Sequence, residues 1–264
     1  MDVFYLKLIL AFIVGAVWIT GATLIAERFG SKIGGVITGL PSTVVLALFF
    51  IAWTQSPQIA AEATTIVPAI IGLDALFTAL YILLSQNKLY ISIGLSLLVW
   101  FILSFIFVIL KIDNFSLSLV IFFLLLVISY ILGEKVVRVK SEGQKRMVLN
   151  SRQLSFRAIL SGTIIAFAVI MTKLGGPIVG GMFASFPAIM LSTMIITFTI
   201  HGRTFSVAVM KVVMVSGGVN VVVYATAVRY LYPLFGVFAG TFYAFLISLV
   251  SSFFMYQFVN RKMI

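Results

Sequence analysis

The sequence contains no cysteine, and its single histidine is His201. A disulfide framework and a Cys/His metal cluster are therefore excluded. Carboxylates are nearly as scarce: Asp2, Glu27, Glu62, Asp74, Asp113, Glu134 and Glu142 lie scattered along 264 residues. Such spacing assembles no oxygen cage for Mg²⁺ or Ca²⁺, so no metal site and no cofactor is expected. Charged residues make up only 9% of the chain, whereas a soluble domain carries roughly 25%. What fills the space is apolar: 62% of the residues are hydrophobic and the mean hydropathy is +1.22. The expected class is an all-α integral membrane protein.

The same scarcity argues against an enzyme. A two-aspartate intramembrane protease needs a second acid opposite Asp74, a metalloprotease needs H-E-x-x-H, and a polyprenyl transferase needs Asp clusters; none occurs. No catalytic residue is assigned. The net charge of +11 is read as topology rather than as nucleic-acid binding.

About 20 apolar residues cross a hydrocarbon core. That length predicts about nine spans, at 3–26, 33–54, 64–85, 89–110, 115–133, 155–173, 176–200, 205–229 and 234–258. The first run is too long for a signal-peptide core and lacks a basic flank, so it is kept as a span. The junctions near Gly175 and Pro233 are short. With nine spans, 13 of the 18 lysines and arginines fall on one side, among them Arg157 and Arg203. Four fall on the other, and Lys211 lies within a span. The positive-inside rule then places the N-terminus outside and the C-terminus in the cytoplasm of a plasma membrane. The loop 134–157 carries seven basic residues against two acidic ones and faces anionic lipid on this reading.

A displacement of 146 residues aligns Gly30 with Gly176, Gly34 with Gly180, Gly35 with Gly181, Pro41 with Pro187 and Gly72 with Gly218. Spans one to four fall on six to nine, with the fifth as connector. The domains are thus 1–110 and 155–264 as four-helix repeats, joined by 111–154. An odd number of spans before the second copy inverts it. The expectation is a 4+1+4 inverted-topology repeat, a recurring construction of secondary transporters.

The repeated element reads IGGVITGLPS in the first copy and VGGMFASFPA in the second. Proline removes a backbone N–H and frees carbonyls one turn earlier, which lipid does not tolerate but a cavity does. Helices two and seven are therefore expected to be interrupted at mid-depth, with Gly34, Gly35, Gly180 and Gly181 as helix-break glycines. Thr38, Pro41, Ser42, Thr43, Ser185 and Pro187 would flank the site, with the hydroxyls of Ser192 and Thr193 nearby. The competing reading is close packing of small residues at an ordinary kink.

The register also pairs Asp74 with Asn220, each near the centre of its span. A charge at that depth costs about 2.5–3.5 kcal/mol and marks a functional site by default. A structural hydrogen bond or an ion pair with Lys211 is the alternative for Asp74; Lys211 otherwise snorkels. Asn220 alone reads as interhelical glue, and Trp18, Trp53 and Trp100 as lipid-facing or interfacial bulk. His201 and Arg203 read as loop residues.

The stretch 180–218, GGMFASFPAIMLSTMIITFTIHGRTFSVAVMKVVMVSGG, resembles the GlpM-type small bacterial inner-membrane proteins, single units of about four spans with a similar small-residue, F-P, then G-R pattern. The first half departs from it, with Leu40 before Pro41 and Ser56-Pro57 where the second has Gly202-Arg203. The resemblance implies two fused units and no defined substrate. The function expected is secondary transport of a small solute or ion by alternating access, with Asp74 coupling to protons in preference to sodium. A channel and a non-transporting scaffold that uses the basic loop remain alternatives. A buried acid favours cationic or neutral cargo, and half-helix N-termini at the breaks reverse that preference.

Overall fold

A computed structural model describes residues 3–28, 40–136 and 150–262. Gly34, Gly35, Thr38 and most of the basic loop lie outside the described residues. Among the described residues eight helical elements follow one another: α1 (Val3–Arg28), α2 (Ser42–Thr54), α3 (Pro57–Ala63), α4 (Val67–Leu84), α5 (Leu89–Ile109), α6 (Phe115–Val136), α7 (Ser151–Ala184) and α8 (Ala188–Lys262). Five stretches within these helices are long and apolar enough to cross a membrane, and α1, α5 and α6 bury only a minority of their residues. The chain is a membrane-embedded helical bundle.

Three glycines divide the two longest elements. Gly176 in α7, and Gly202 and Gly236 in α8, have φ of 83°, 79° and 72° with ψ near 180°. That region is open only to a residue without Cβ, so a single glycine reverses a helix where any other residue would be strained. The returning segments pack on the outgoing ones: the Thr197 hydroxyl donates to Ser206 Oγ at 2.9 Å across Gly202, and Tyr232 and Thr241 bond at 2.7 Å across Gly236. The short junctions predicted near Gly175 and Pro233 thus lie at Gly176 and Gly236.

Other boundaries follow local chemistry. α3 starts with Pro57 at its first position and the Ser56 hydroxyl accepting from the Ile59 N–H at 3.1 Å. α7 starts with a reciprocal Asn150–Gln153 capping box. Because of that cap, Arg152 and Arg157 sit on a helix and not in the expected loop 134–157. The predicted third span, 64–85, begins at Val67, after a turn that ends α3.

α4 is the most enclosed of the apolar helices and packs against α5, α6 and α8. Its pairing with the segment 203–235 of α8 is antiparallel. The Arg203 guanidinium donates to Ser85 Oγ at 3.0 Å at one end, and Arg229 donates to Thr65 Oγ1 at 2.8 Å at the other. Tyr81 and Ser206 bond at 2.8 Å between them. Midway, Gly218 faces Ile71, and Phe122 of α6 fills the crossing beside both Gly72 and Gly218. Small residues permit such close approach where apolar burial gives helices no advantage over lipid. Arg203, expected as a loop residue, instead ties two elements together. His201 packs edge-on to Phe205 at 4.6 Å, and its Nε2 is buried without a hydrogen-bond partner.

Candidate functional site

Two proline turns with the same geometry meet in the bundle. At the first, the Ser42 N–H donates to the Leu40 carbonyl at 2.8 Å across Pro41, and helical bonding resumes from Val45 N–H to Pro41 O at 2.8 Å. At the second, the Ala188 N–H donates to the Phe186 carbonyl at 2.7 Å across Pro187, and bonding resumes from Leu191 N–H to Pro187 O at 2.8 Å. Each is a tight three-residue turn centred on a proline, whose fixed φ suits it. The interruption expected at mid-helix in 176–200 therefore lies at Ser185–Pro187, and α2 begins directly after Pro41.

Between the interruptions lies a cavity of about 60 Å³. Leu40, Pro41 and Thr43 line it from the first, and Ser185, Phe186 and Pro187 from the second. Asp74 and Ile71 of α4, with Gly217 and Gly218 of α8, complete the wall beside Val44, Ile189, Met190, Val213 and Val221. Pro41, Thr43, Asp74, Ser185 and Pro187, picked from sequence on separate helices, thus share one cavity.

Asp74 is 3% exposed. Its Oδ1 accepts from Trp100 Nε1–H of α5 at 2.7 Å, while its main-chain carbonyl accepts from the Thr78 hydroxyl at 2.9 Å. Trp100 corrects the expectation of a lipid-facing ring. It is 1% exposed and stands edge-on to Phe101 and Phe186, with centroids at 5.0 and 5.2 Å. Its N–H needs a buried acceptor, and Asp74 supplies one. Trp18, by contrast, is exposed, and Trp53 is partly buried beneath the Lys7 ammonium. Lys211 is likewise buried, and the Asp74 carboxyl bonds Trp100.

Asn220 does not line the cavity. Its Oδ1 accepts from the Ser251 hydroxyl at 2.9 Å, toward the last segment of α8. The register still holds a likeness, since Asp74 and Asn220 each accept from the helical segment that follows in sequence. Ser42 is buried off the cavity wall. Gly180 and Gly181 do not break a helix; they lie inside the last turns of α7, one turn before the interruption. Their missing side chains allow contact instead, Gly180 against Thr172 across the Gly176 reversal and Gly181 against the Ala63 carbonyl of α3.

Ser185 Oγ donates to the Gly181 carbonyl at 2.9 Å, whereas Thr43 Oγ1 is buried with no hydrogen-bond partner. Ser192 and Thr193 are engaged by Arg157, a residue that the sequence assigned to topology. Arg157 is 8% exposed; it donates to Ser192 Oγ at 3.1 Å, to Thr193 Oγ1, and to Thr23 Oγ1 of α1 at 3.4 Å. The signal was its position, two residues inside the predicted span 155–173. Among the described residues no three His, Cys, Asp or Glu side chains cluster for a metal. The residues around the cavity carry one carboxyl and two hydroxyls among otherwise apolar side chains.

No curated protein and no solved structure matches the chain. One family model matches it twice, over residues 8–113 and 154–261, and these regions begin 146 residues apart, the displacement that superposes Pro41 on Pro187. The two matches are consistent with two fused units and cover most of the sequence, and the chain belongs to the family described as "Protein of unknown function (DUF3147)".

Proposed function

We propose that the chain is a secondary transporter of a small solute, working by alternating access around the cavity between the two interruptions, with Asp74 as the proton-coupling group. The observation that carries this reading is the meeting of both proline turns, one from each matched region, at a cavity that also holds the buried carboxyl. Nine spans in a 4+1+4 inverted repeat describe the architecture on this reading. The antiparallel crossing of α4 with 203–235 at the register-paired Gly72 and Gly218 supports the inversion. Transporter folds of this kind hold their sites near mid-depth at the repeat interface.

The remaining expectations belong to the same proposal. The N-terminus lies outside and the C-terminus in the cytoplasm, with anionic lipid at the basic loop. The two units are of the GlpM type, and the protein is neither an enzyme nor a nucleic-acid binder. A carboxyl at this depth, where charge costs about 2.5–3.5 kcal/mol, favours a transport role over a scaffold on this reading. The test is proton movement in proteoliposomes that carry a luminal pH dye, driven by gradients drawn from a panel of small solutes. A solute-driven pH change in wild type that Asp74→Asn abolishes at equal incorporation is expected. An equal change in both proteins would remove Asp74 from the pathway, and a wild type that responds to no solute would count against transport.

A further inference from the structure

The helical segments that follow the two proline turns leave the cavity in opposite directions. Residues 188–201 lead to Gly202 and to the end of the bundle where Arg203 bonds Ser85. α2 leads to the other end, packing in one apolar cluster with Val228 and Tyr232, on either side of Arg229. Ile189 and Met190 line the cavity from the first segment, and Thr193 stands one helical turn beyond them on the same face. Thr43 and Val44 line it from α2, and Ala47 stands one turn beyond them. Thr193 and Ala47 are 146 residues apart, so they are equivalent in the register of the repeat. Each lies between the cavity and a different end of the bundle.

What holds these two positions differs in kind. Thr193 Oγ1 and Ser192 Oγ accept from the Arg157 guanidinium of α7, which also donates to Thr23 Oγ1 of α1 at 3.4 Å. The same register carries Arg157, Ser192, Thr193 and Thr23 onto Ala11, Leu46, Ala47 and Val169. Those four are all buried, and all belong to one apolar cluster. The mapping exchanges the two helices, Arg157 of α7 for Ala11 of α1 and Thr23 of α1 for Val169 of α7, as a twofold relation requires. α1 and α7 cross antiparallel where a methyl on Gly15 would meet the Gly162 Cα. Arg157 and Thr23 lie on one side of that crossing, Ala11 and Val169 on the other. Two equivalent sets of four residues thus close off opposite sides of the cavity, one by hydrogen bonds and one by apolar contact. Packing alone does not call for an arginine, since alanine fills the equivalent place, and an arginine at this depth is costly. Its bonds to hydroxyls are exchangeable for bonds to water when the segment 188–201 moves away.

We propose that the two sets are the gates of the cavity, and that Arg157 is the latch of the gate toward Arg203. Its bonds hold the segment 188–201 against α1 and α7, and their exchange for water opens the cavity on that side alone. The apolar set is the gate toward Arg229. This deepens the transport reading above, and rests on it only for the use to which the openings are put.

The experiment introduces Ser185→Cys as the single thiol and reads its rate of reaction, in oriented vesicles, with a membrane-impermeant thiol reagent applied to one face at a time. Adding Arg157→Ala is expected to raise the rate from the Arg203 face about tenfold or more, the scale of a lost hydrogen bond to a charged group, and to leave the other face unchanged. Thr193→Val keeps both the volume and the arginine but removes one acceptor. It gives a smaller rise on the same face, and it carries the test if Arg157→Ala does not fold. Leu46→Ala, in the apolar set, raises the rate from the Arg229 face alone. An arginine that merely stabilised the bundle would, on removal, raise both rates alike. Rates that Arg157→Ala and Thr193→Val leave unchanged, or raise alike from both faces, would overturn the proposal. A Leu46→Ala rate that is unchanged, or raised from the Arg203 face, would do the same. One-sided loosening without solute-driven proton flux refutes transport alone; flux in wild type without one-sided loosening in the variants refutes the gates alone.

Discussion

Replacing Gly181 by alanine aims a methyl group at the Ala63 carbonyl oxygen, with the Ala63 carbonyl carbon and Ile66 Cγ2 each at 3.0 Å. The obstacle is mostly backbone, at the end of α3, and cannot rotate aside as a side chain does. Overpacking of this kind costs about 1–3 kcal/mol, against a gain of up to about 1 kcal/mol from helix propensity. Gly218→Ala is the matched control, because its new methyl meets Ile71 Cγ2 at 3.5 Å and Phe122 Cε2 at 3.6 Å, ordinary contact distances. Gly218→Ala is therefore expected to keep or raise stability by up to about 1 kcal/mol, and Gly181→Ala to lose about 1–2 kcal/mol. Reversible unfolding in mixed micelles, followed by circular dichroism, reads both. Gly181→Ala also moves the carbonyl that holds Ser185 Oγ at 2.9 Å, so solute-driven proton flux falls with it. A Gly181→Ala protein as stable as Gly218→Ala would refute the close approach of α7 to α3.

Trp100→Phe keeps an aromatic ring in the pocket but removes the donor to Asp74. A loss of about 1–3 kcal/mol in the same unfolding assay is expected for a buried acceptor left without its donor, and a smaller one in an Asp74→Asn background. Arg157→Lys replaces a planar fork that reaches Thr23, Ser192 and Thr193 with a single ammonium, and a loss of at least about 1.5 kcal/mol is expected. Unchanged unfolding of Arg157→Lys would mean that the three hydroxyls are incidental neighbours.

The interruptions and their acid were legible in the sequence because a duplicated proline is a local signal. Proline in the middle of an apolar span disrupts helical bonding, and one register relates Pro41 and Pro187 to each other and to the helix that bears Asp74. The partners of that acid were not legible. Trp100 has the residue type of a membrane interface, and only the crossing of α5 with α4 turns its N–H inward. Arg157 scored as a cytoplasmic cation because a charge count weighs distance along the chain and not the face of the helix. Asn220 occupies the register position of Asp74, yet its helix turns it toward Ser251 and away from the cavity. The Gly180-Gly181 pair reads as a break in a string of letters. In the folded chain it is a contact surface, because the interruption needs only the proline turn that follows.

The absence of native cysteine allows the central claim to be tested directly, since each introduced thiol is the only one present. Thr43→Cys and Ser185→Cys, one on each interruption, would be reacted in oriented vesicles with a membrane-impermeant thiol reagent applied from one side at a time. Alternating access predicts that both positions are modified from either side, and that a transported solute slows the reaction. Modification of each position from one side only, whatever the solute gradient, would contradict it.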